Sequence, residues 1–251
     1  MAEAPRALNG DGGGDGDGDG GSESPGPDTG RAPRPLGRSG SRGRFIVLEG
    51  VEASGKSTQA IRLAAELGAV LTREPGGTPL GERLRTLVLD RESPPVAARA
   101  EALLMLAARA QHVEDVIAPA LRSGRDVVCD RFSASTIAYQ GYGRRLETVE
   151  LARLSEWAAA GVSPDRVILL DVGPGEVARR LVERRKEART TSNPELVDRI
   201  EAEEKEFFLR VAGGFATLAR SDPVRWRLVD GLGSFDEVAA RVLSAARDDD
   251  G

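Results

Sequence analysis

The chain has 251 residues, 40% of them hydrophobic, enough to bury one substantial core without requiring a second domain. A formal net charge of −5 and a pI near 5.2 argue against a dedicated nucleic-acid binder, whose footprint is a basic domain. One cysteine excludes an intrachain disulfide framework and a cysteine-built zinc cluster, and no apolar run reaches membrane-spanning or signal-peptide length, so a cytoplasmic protein is expected.

Residues 1–43 are rich in glycine and poor in apolar bulk, so burial there cannot offset the entropy of ordering. A disordered tail is expected, followed by one folded domain over 44–247. Acids occupy the tail up to Asp28 and arginines take over from Arg31 to Arg44, which reads as a solvated linker or a weak partner contact. The GDGDGDGG stretch lacks the ligand spacing and closing glutamate of a calcium loop.

Beyond the tail, short apolar runs at 45–49, 70–72, 126–129, 166–171 and 225–229 have the length of buried parallel strands. Helical patterns lie between them, at 56–67, 80–89, 96–122, 148–160, 175–185, 194–219 and 235–246. Gly68, Gly124 and Gly161 stand where helices should stop, and Pro94 and Pro95 where one should start. Strands alternating with helices predict an α/β fold of three layers, a five-stranded parallel sheet flanked by helices. In such a sheet a ligand crevice lies beyond the carboxyl ends of the strands.

The first strand runs into Gly50, Val51, Glu52, Ala53, Ser54, Gly55, Lys56 and Ser57, a GxxxxGK[ST] phosphate-binding loop, with Thr58 following. Its glycines let backbone N–H groups turn toward a triphosphate, Lys56 can bridge β- and γ-phosphates, and the Ser57 hydroxyl can ligate Mg²⁺. Lys56 shares the chain with two other lysines, Lys186 and Lys205, among 35 basic residues, which makes its place in the motif informative.

The second strand ends in REPGG and the third in Asp130-Arg131-Phe132. Asp130 can hold a water of the Mg²⁺ shell across from Ser57, a Walker-B-like placement, or cap a helix. Arg73, Arg109 and Arg131 come from three elements and suggest one small anionic substrate; surface salt bridges are the alternative for each. Asp171, at the end of the fourth strand, reads as a turn residue. Cys129 reads as strand packing and His112 as a helix-face residue rather than a base. DRF after the third strand, in place of DxxG, and the lack of NKxD speak against a nucleotide switch.

These segments together resemble the thymidylate kinases, P-loop kinases acting on dTMP. The resemblance rests on FIVLEGVEASGKST, TREPGGTPLGERLR, AEALLMLAARAQHVEDVIAPAL, DRFSASTIAYQGYGR, ILLDV and DRIEAEEKEFFLRV, and runs from about Arg44 to the last helix. It implies the P-loop NTPase fold, phosphorylation of dTMP to dTDP with ATP and Mg²⁺, a homodimer, and a mobile lid over about 183–197. It implies that Glu52 lies near the acceptor sugar and phosphate, that Arg73 and Arg131 hold the acceptor phosphate, and that Arg109 reads the thymine edge with Met105 against the ring. Tyr139 would crowd a ribose 2′-hydroxyl, with Thr136 and Gln140 flanking the same pocket. The family uses an arginine in the phosphate loop or in the lid to stabilise the transition state. The loop here has none, so the duty is expected of Arg184, Arg185 or Arg189.

Overall fold

The computed structural model describes residues 42–190 and 198–247. The elements are β1 (Phe45–Glu49), α1 (Lys56–Leu67), β2 (Val70–Arg73), α2 (Pro79–Leu89), α3 (Ala98–His112), α4 (Ala118–Arg122), β3 (Val127–Asp130), α5 (Ser133–Thr136), α6 (Thr148–Ala158), β4 (Arg166–Asp171), α7 (Gly173–Thr190), α8 (Lys205–Ser221), β5 (Trp226–Asp230) and α9 (Phe235–Arg247). Two π-helical stretches, Val113–Ile117 and Ile137–Gly143, join α3 to α4 and extend α5.

The sheet is all parallel in the order β2-β3-β1-β4-β5. β1 sits at its centre with every residue buried, which is why Phe45–Leu48 read as an unbroken apolar run rather than an alternation. Its side chains still divide by face. Ile46 and Leu48 join Val128, Ile168 and Leu170 against α1 and α9, while Phe45 and Val47 join Ile117, Leu121 and Val127 on the opposite side. Burying each such side chain contributes about 1.5–3 kcal/mol. A third cluster, with Tyr139, Leu169, Leu181, Phe207 and Phe215, lies where α7 and α8 meet the π-helical stretch after α5.

All five expected strands are present, β2 one residue longer than expected and β3 and β5 displaced by one residue. α1 has the expected bounds, between Gly55 and Gly68, both with left-handed backbones. Other expectations need correction. The helix expected at 96–122 begins at Ala98, three residues beyond Pro95, and is interrupted by the π-helical stretch just before Pro119. Proline lacks the N–H a regular helix would use, and the widened turn accommodates it. Nothing helical was expected at 133–143, yet α5 and its π extension occupy it. The helix expected at 194–219 begins only at Lys205. Residues 198–204 instead form turns, with Asp198 Oδ1 accepting from the Glu201 N–H and the Arg199 N–H donating to the Leu89 carbonyl.

Of the expected tail, residues 1–41 lie outside the described residues. Arg42 pairs with Asp165, and the Gly43 N–H donates to the Leu121 carbonyl at 3.0 Å. Of the expected lid, 183–190 forms the last turns of α7 and 191–197 lies outside the described residues. Among the described residues no helix is long and apolar enough to cross a membrane.

Candidate active site

The loop between β1 and α1 turns because its backbone leaves the region open to ordinary side chains. Gly50 has φ 145°, and a Cβ there would lie 2.7 Å from the Leu170 carbonyl oxygen, so only glycine fits. Ala53 and Gly55 also have positive φ. Lys56 opens α1 and lies back under the loop, 5% exposed, its Nζ donating to the Val51 carbonyl at 2.7 Å and to Ser54 Oγ at 3.3 Å. Burial, with Arg131 as a second cause, pushes its pKa down to about 8, against the pull of Glu52 and Asp130.

Parallel pairing of β1 with β3 brings the end of β3 alongside the loop. Ser57 Oγ donates to Asp130 Oδ2, and the buried Asp130 Oδ1 has no hydrogen-bond partner. Arg131 follows with φ 74°, a left-handed conformation that costs an arginine on the order of 1 kcal/mol. Its guanidinium gathers four partners: Nη1 donates to the Gly50 carbonyl (2.9 Å) and Ser135 Oγ (3.0 Å), Nη2 to Glu52 Oε1 (2.6 Å) and Tyr139 Oη (3.0 Å). It also stands over the Tyr139 ring, 4.8 Å from the centroid. Burial pushes the Glu52 carboxyl up, but Arg131 and Lys56 more than offset this and hold it below its ordinary value. Burial raises the Tyr139 hydroxyl well above its own.

Glu49, the last residue of β1, holds this turn in place. Its Oε1 accepts from the Phe132 and Ser135 N–H groups at 2.9 and 3.2 Å, and its Oε2 from Ser135 Oγ at 2.6 Å. Burial pushes its carboxyl up to about 7 despite Arg131 and Ser135 nearby.

A second group lies below the ends of β2 and β3. Arg109 is 2% exposed and donates from Nε to Glu74 Oε2 (2.8 Å), from Nη2 to Thr136 Oγ1 (3.0 Å) and from Nη1 to Ser155 Oγ (3.4 Å), with Phe132 5.0 Å from its guanidinium carbon. His112 departs from the expected helix-face position. It is fully buried, between Glu74 and Thr72. Arg73 pairs with Glu82 at 2.7 Å, and Gln140 Nε2 donates to Glu101 at 2.9 Å. Tyr139 is wedged against Phe207 and Phe215.

From α7, Arg184 pairs with the buried Glu201, whose carboxyl is pushed up to about 7 by burial against the pull of that arginine. The side chains of Arg185 and Arg189 lie outside the described residues. One turn earlier, Arg180 spans two segments, donating to the Ala53 and Ser54 carbonyls (3.2 and 3.3 Å) and to the Gly231 carbonyl (3.4 Å).

One cavity of about 1430 Å³ joins these groups. Of the residues singled out from sequence, Glu52, Lys56, Ser57, Arg73, Met105, Arg109, Asp130, Arg131, Thr136, Tyr139, Gln140 and Arg184 line it. Gly50, Val51, Ala53, Ser54, Gly55 and Thr58 do not line it. Sequence reasoning missed Glu49, Glu74, Ser135, Arg180 and Glu201. Two had a signal: Glu49 is a carboxylate closing a fully apolar strand, and Arg180 is four residues before Arg184 on one helix face.

The family model for thymidylate kinase matches residues 48–242. The thymidylate kinase of Solidesulfovibrio magneticus is 47% identical over 203 residues, covering 79% of this chain and 96% of that protein. That of Alkalilimnicola ehrlichii is 47% identical over 195 residues, covering 76% and 86%. The crystal structure of thymidylate kinase from Ehrlichia chaffeensis superposes with a TM-score of 0.65 at 29% identity, covering 82% of this chain and all of that one. A phosphate loop, an arginine-lined second pocket in the same cavity and these likenesses converge: the chain belongs to the thymidylate kinase family.

Proposed function

We propose that this protein transfers the γ-phosphoryl group of ATP to dTMP, giving ADP and dTDP. The observation that carries the reading is one cavity lined by Glu52, Lys56 and Ser57 of the phosphate loop and also by the buried Arg109, Thr136 and Tyr139, with Arg131 bonded to both Gly50 and Tyr139. An oxygen of the dTMP phosphate attacks Pγ, the Pβ–O–Pγ bridge breaks, and ADP leaves. Such a transfer needs positioning and charge neutralisation more than covalent help.

In this reading the loop amides and Lys56 hold the donor phosphates. Arg131 and Arg73 hold the acceptor phosphate, beside Glu52 at the sugar. Arg109 faces the base, with Met105 against its ring and Thr136 and Gln140 at its edge. Of the lid arginines, Arg184 is the one whose side chain is described; it lines the cavity and pairs with Glu201, which makes it our candidate for the cation at the transferring group. The residues at the loop also suit Mg²⁺. Among the described residues no three His, Cys, Asp or Glu side chains could hold a metal by themselves. Ser57 and the unpartnered Asp130 Oδ1 instead offer the sparse oxygen set that Mg²⁺ accepts when phosphates complete its shell. Bound there, Mg²⁺ would neutralise charge on the β- and γ-phosphate oxygens.

The test is product-identified turnover of ATP and Mg²⁺ with dTMP, dUMP, dCMP, AMP and thymidine. Turnover with dTMP, with dUMP at most weakly behind, is the expected result; use of another acceptor alone overturns the assignment. Tyr139 sharpens it. Its ring is held by two phenylalanines and cannot yield to an added hydroxyl, so Tyr139→Ala should cut the preference for dTMP over ribothymidine monophosphate by about tenfold or more. Unchanged selectivity would place the ring outside sugar recognition.

We also propose a homodimer. α3 packs against α2 and α6, and the exposed apolar side chains Leu80 and Leu87, Leu103, and Val149 and Trp157 come from these three helices. Trp157 is 80% exposed, an unusual position for that side chain in a monomer. Sedimentation should give a dimer, and Leu103→Asp should shift it to monomer; a monomeric wild type would remove the proposal.

A further inference from the structure

We infer that His112 is a positioning residue for acceptor recognition: through Glu74 it fixes the direction of the Arg109 guanidinium. The inference rests on the reading of Arg109 as the base-facing arginine and adds the group that holds it.

His112 is the single histidine of the chain and is fully buried. Its Nδ1 lies 3.1 Å from Glu74 Oε1 and its Nε2 2.6 Å from Thr72 Oγ1. A carboxylate can only accept, so Nδ1 donates to Glu74, while Nε2 holds the Thr72 hydroxyl. Glu74 is thereby divided. One oxygen belongs to His112 and the other to Arg109, and the carboxylate cannot rotate without breaking one of the two contacts. Arg109 and His112 are three residues apart on α3, so they present side chains on the same side of the helix and close on Glu74 together.

The loop after β2 completes the clamp. Gly77 has φ 78°, and a Cβ there would lie 2.6 Å from His112 Nε2 and 2.8 Å from Thr72 Oγ1. The backbone is therefore in contact with the ring and leaves it no second position. With Nε and Nη2 of Arg109 held by Glu74 and Thr136, Nη1 is committed only to the 3.4 Å contact with Ser155, and it is the nitrogen available to a carbonyl oxygen on a base. A guanidinium offers donors alone. Held in this direction, it suits a pyrimidine with a carbonyl at that edge and disfavours one with an amine there.

The test compares full-length wild type with His112→Leu, His112→Asn, His112→Gln and Thr72→Val, reading melting temperature, kcat and the separate KM values for dTMP and ATP. Asparagine can place an amide N–H where Nδ1 stands, glutamine places its amide near Nε2, and leucine supplies neither. His112→Leu should raise the KM for dTMP by about tenfold, with kcat and the KM for ATP moving by less than about twofold. Asparagine should recover most of the lost affinity and glutamine should not; Thr72→Val should fall between leucine and wild type. A folded His112→Leu with both KM values shifted together, or neither, would show that the ring only ties α3 to β2 and overturn the inference. If the leucine variant does not fold, the asparagine and glutamine variants decide, and equal KM values for dTMP in those two overturn it. Failure of the wild type itself to use dTMP removes the acceptor reading and this inference with it, whereas good use of dTMP with insensitive variants removes the inference alone.

Discussion

Lys56→Ala should lower kcat by about 10³-fold or more while leaving the protein folded. The two halves of this expectation come from one geometry. Lys56 Nζ is buried and held by the Val51 carbonyl and Ser54 Oγ, so its charge sits where the loop curves around the donor phosphates. In a site shielded from water that charge counts for far more than at a surface, and no lysine or arginine near the loop can take its place without leaving its own partners. Its contribution to the stability of the free protein has the opposite sign. Its pKa is pushed from 10.5 to about 8, so between those values the unfolded chain holds the extra proton and stability rises with pH. Lys56→Ala should lose that rise. Wild type should also show a KM for ATP that climbs as pH passes about 8, where the free site begins to lose its charge, and the variant should not. Full activity in the variant would refute the donor site; a wild-type KM flat to pH 9 would refute the lowered pKa.

The readable parts of this site are those built by residues close together in the chain. β1, the phosphate loop and α1 are continuous, and Gly55 and Gly68 mark the helix ends by their own backbone needs. The residues at the end of β3 could be placed because a parallel sheet delivers its strand ends to one crevice. What was missed depends on distant partners. SASTIAYQGYG lacks helical periodicity, and its π-helical stretch is supported from outside, with Gly143 against Phe207 and Gly214 of α8 against Tyr142. DRIEAEE is rich in helix formers, yet Arg199 reaches Glu101 and Glu201 pairs with Arg184, so tertiary pairing overrides local preference. His112 failed for the same reason: its place on α3 could be read locally, but not that Thr72 and Glu74 would close over it.

Arg131→Ala should reduce kcat/KM for dTMP by about 10³-fold or more, and the larger question is how much of that loss is recognition and how much is collapse of the turn. Both belong to the residue. Arg131 carries charge into the space between the two pockets, and it also satisfies Glu52, Tyr139, Ser135 and the Gly50 carbonyl. The Glu52–Arg131 pair is 18% and 13% exposed, and removing one partner of a buried pair costs about 3–5 kcal/mol because the other is left uncompensated. Glu52 would then lose the cation that holds its pKa low, and burial would drive it toward the protonated form. Arg131→Lys should recover little, since an ammonium cannot span Gly50 and Ser135 on one side and Glu52 and Tyr139 on the other. The second substitution that separates the effects is Glu52→Gln in the Arg131→Ala background. It removes the stranded charge, so the melting temperature should return most of the way to wild type, while kcat/KM for dTMP should stay low because no cation faces the acceptor phosphate. Recovery of activity along with stability would show that Arg131 acts by holding Glu52 and the turn, and the acceptor phosphate would then need another partner, with Arg73 the first to test.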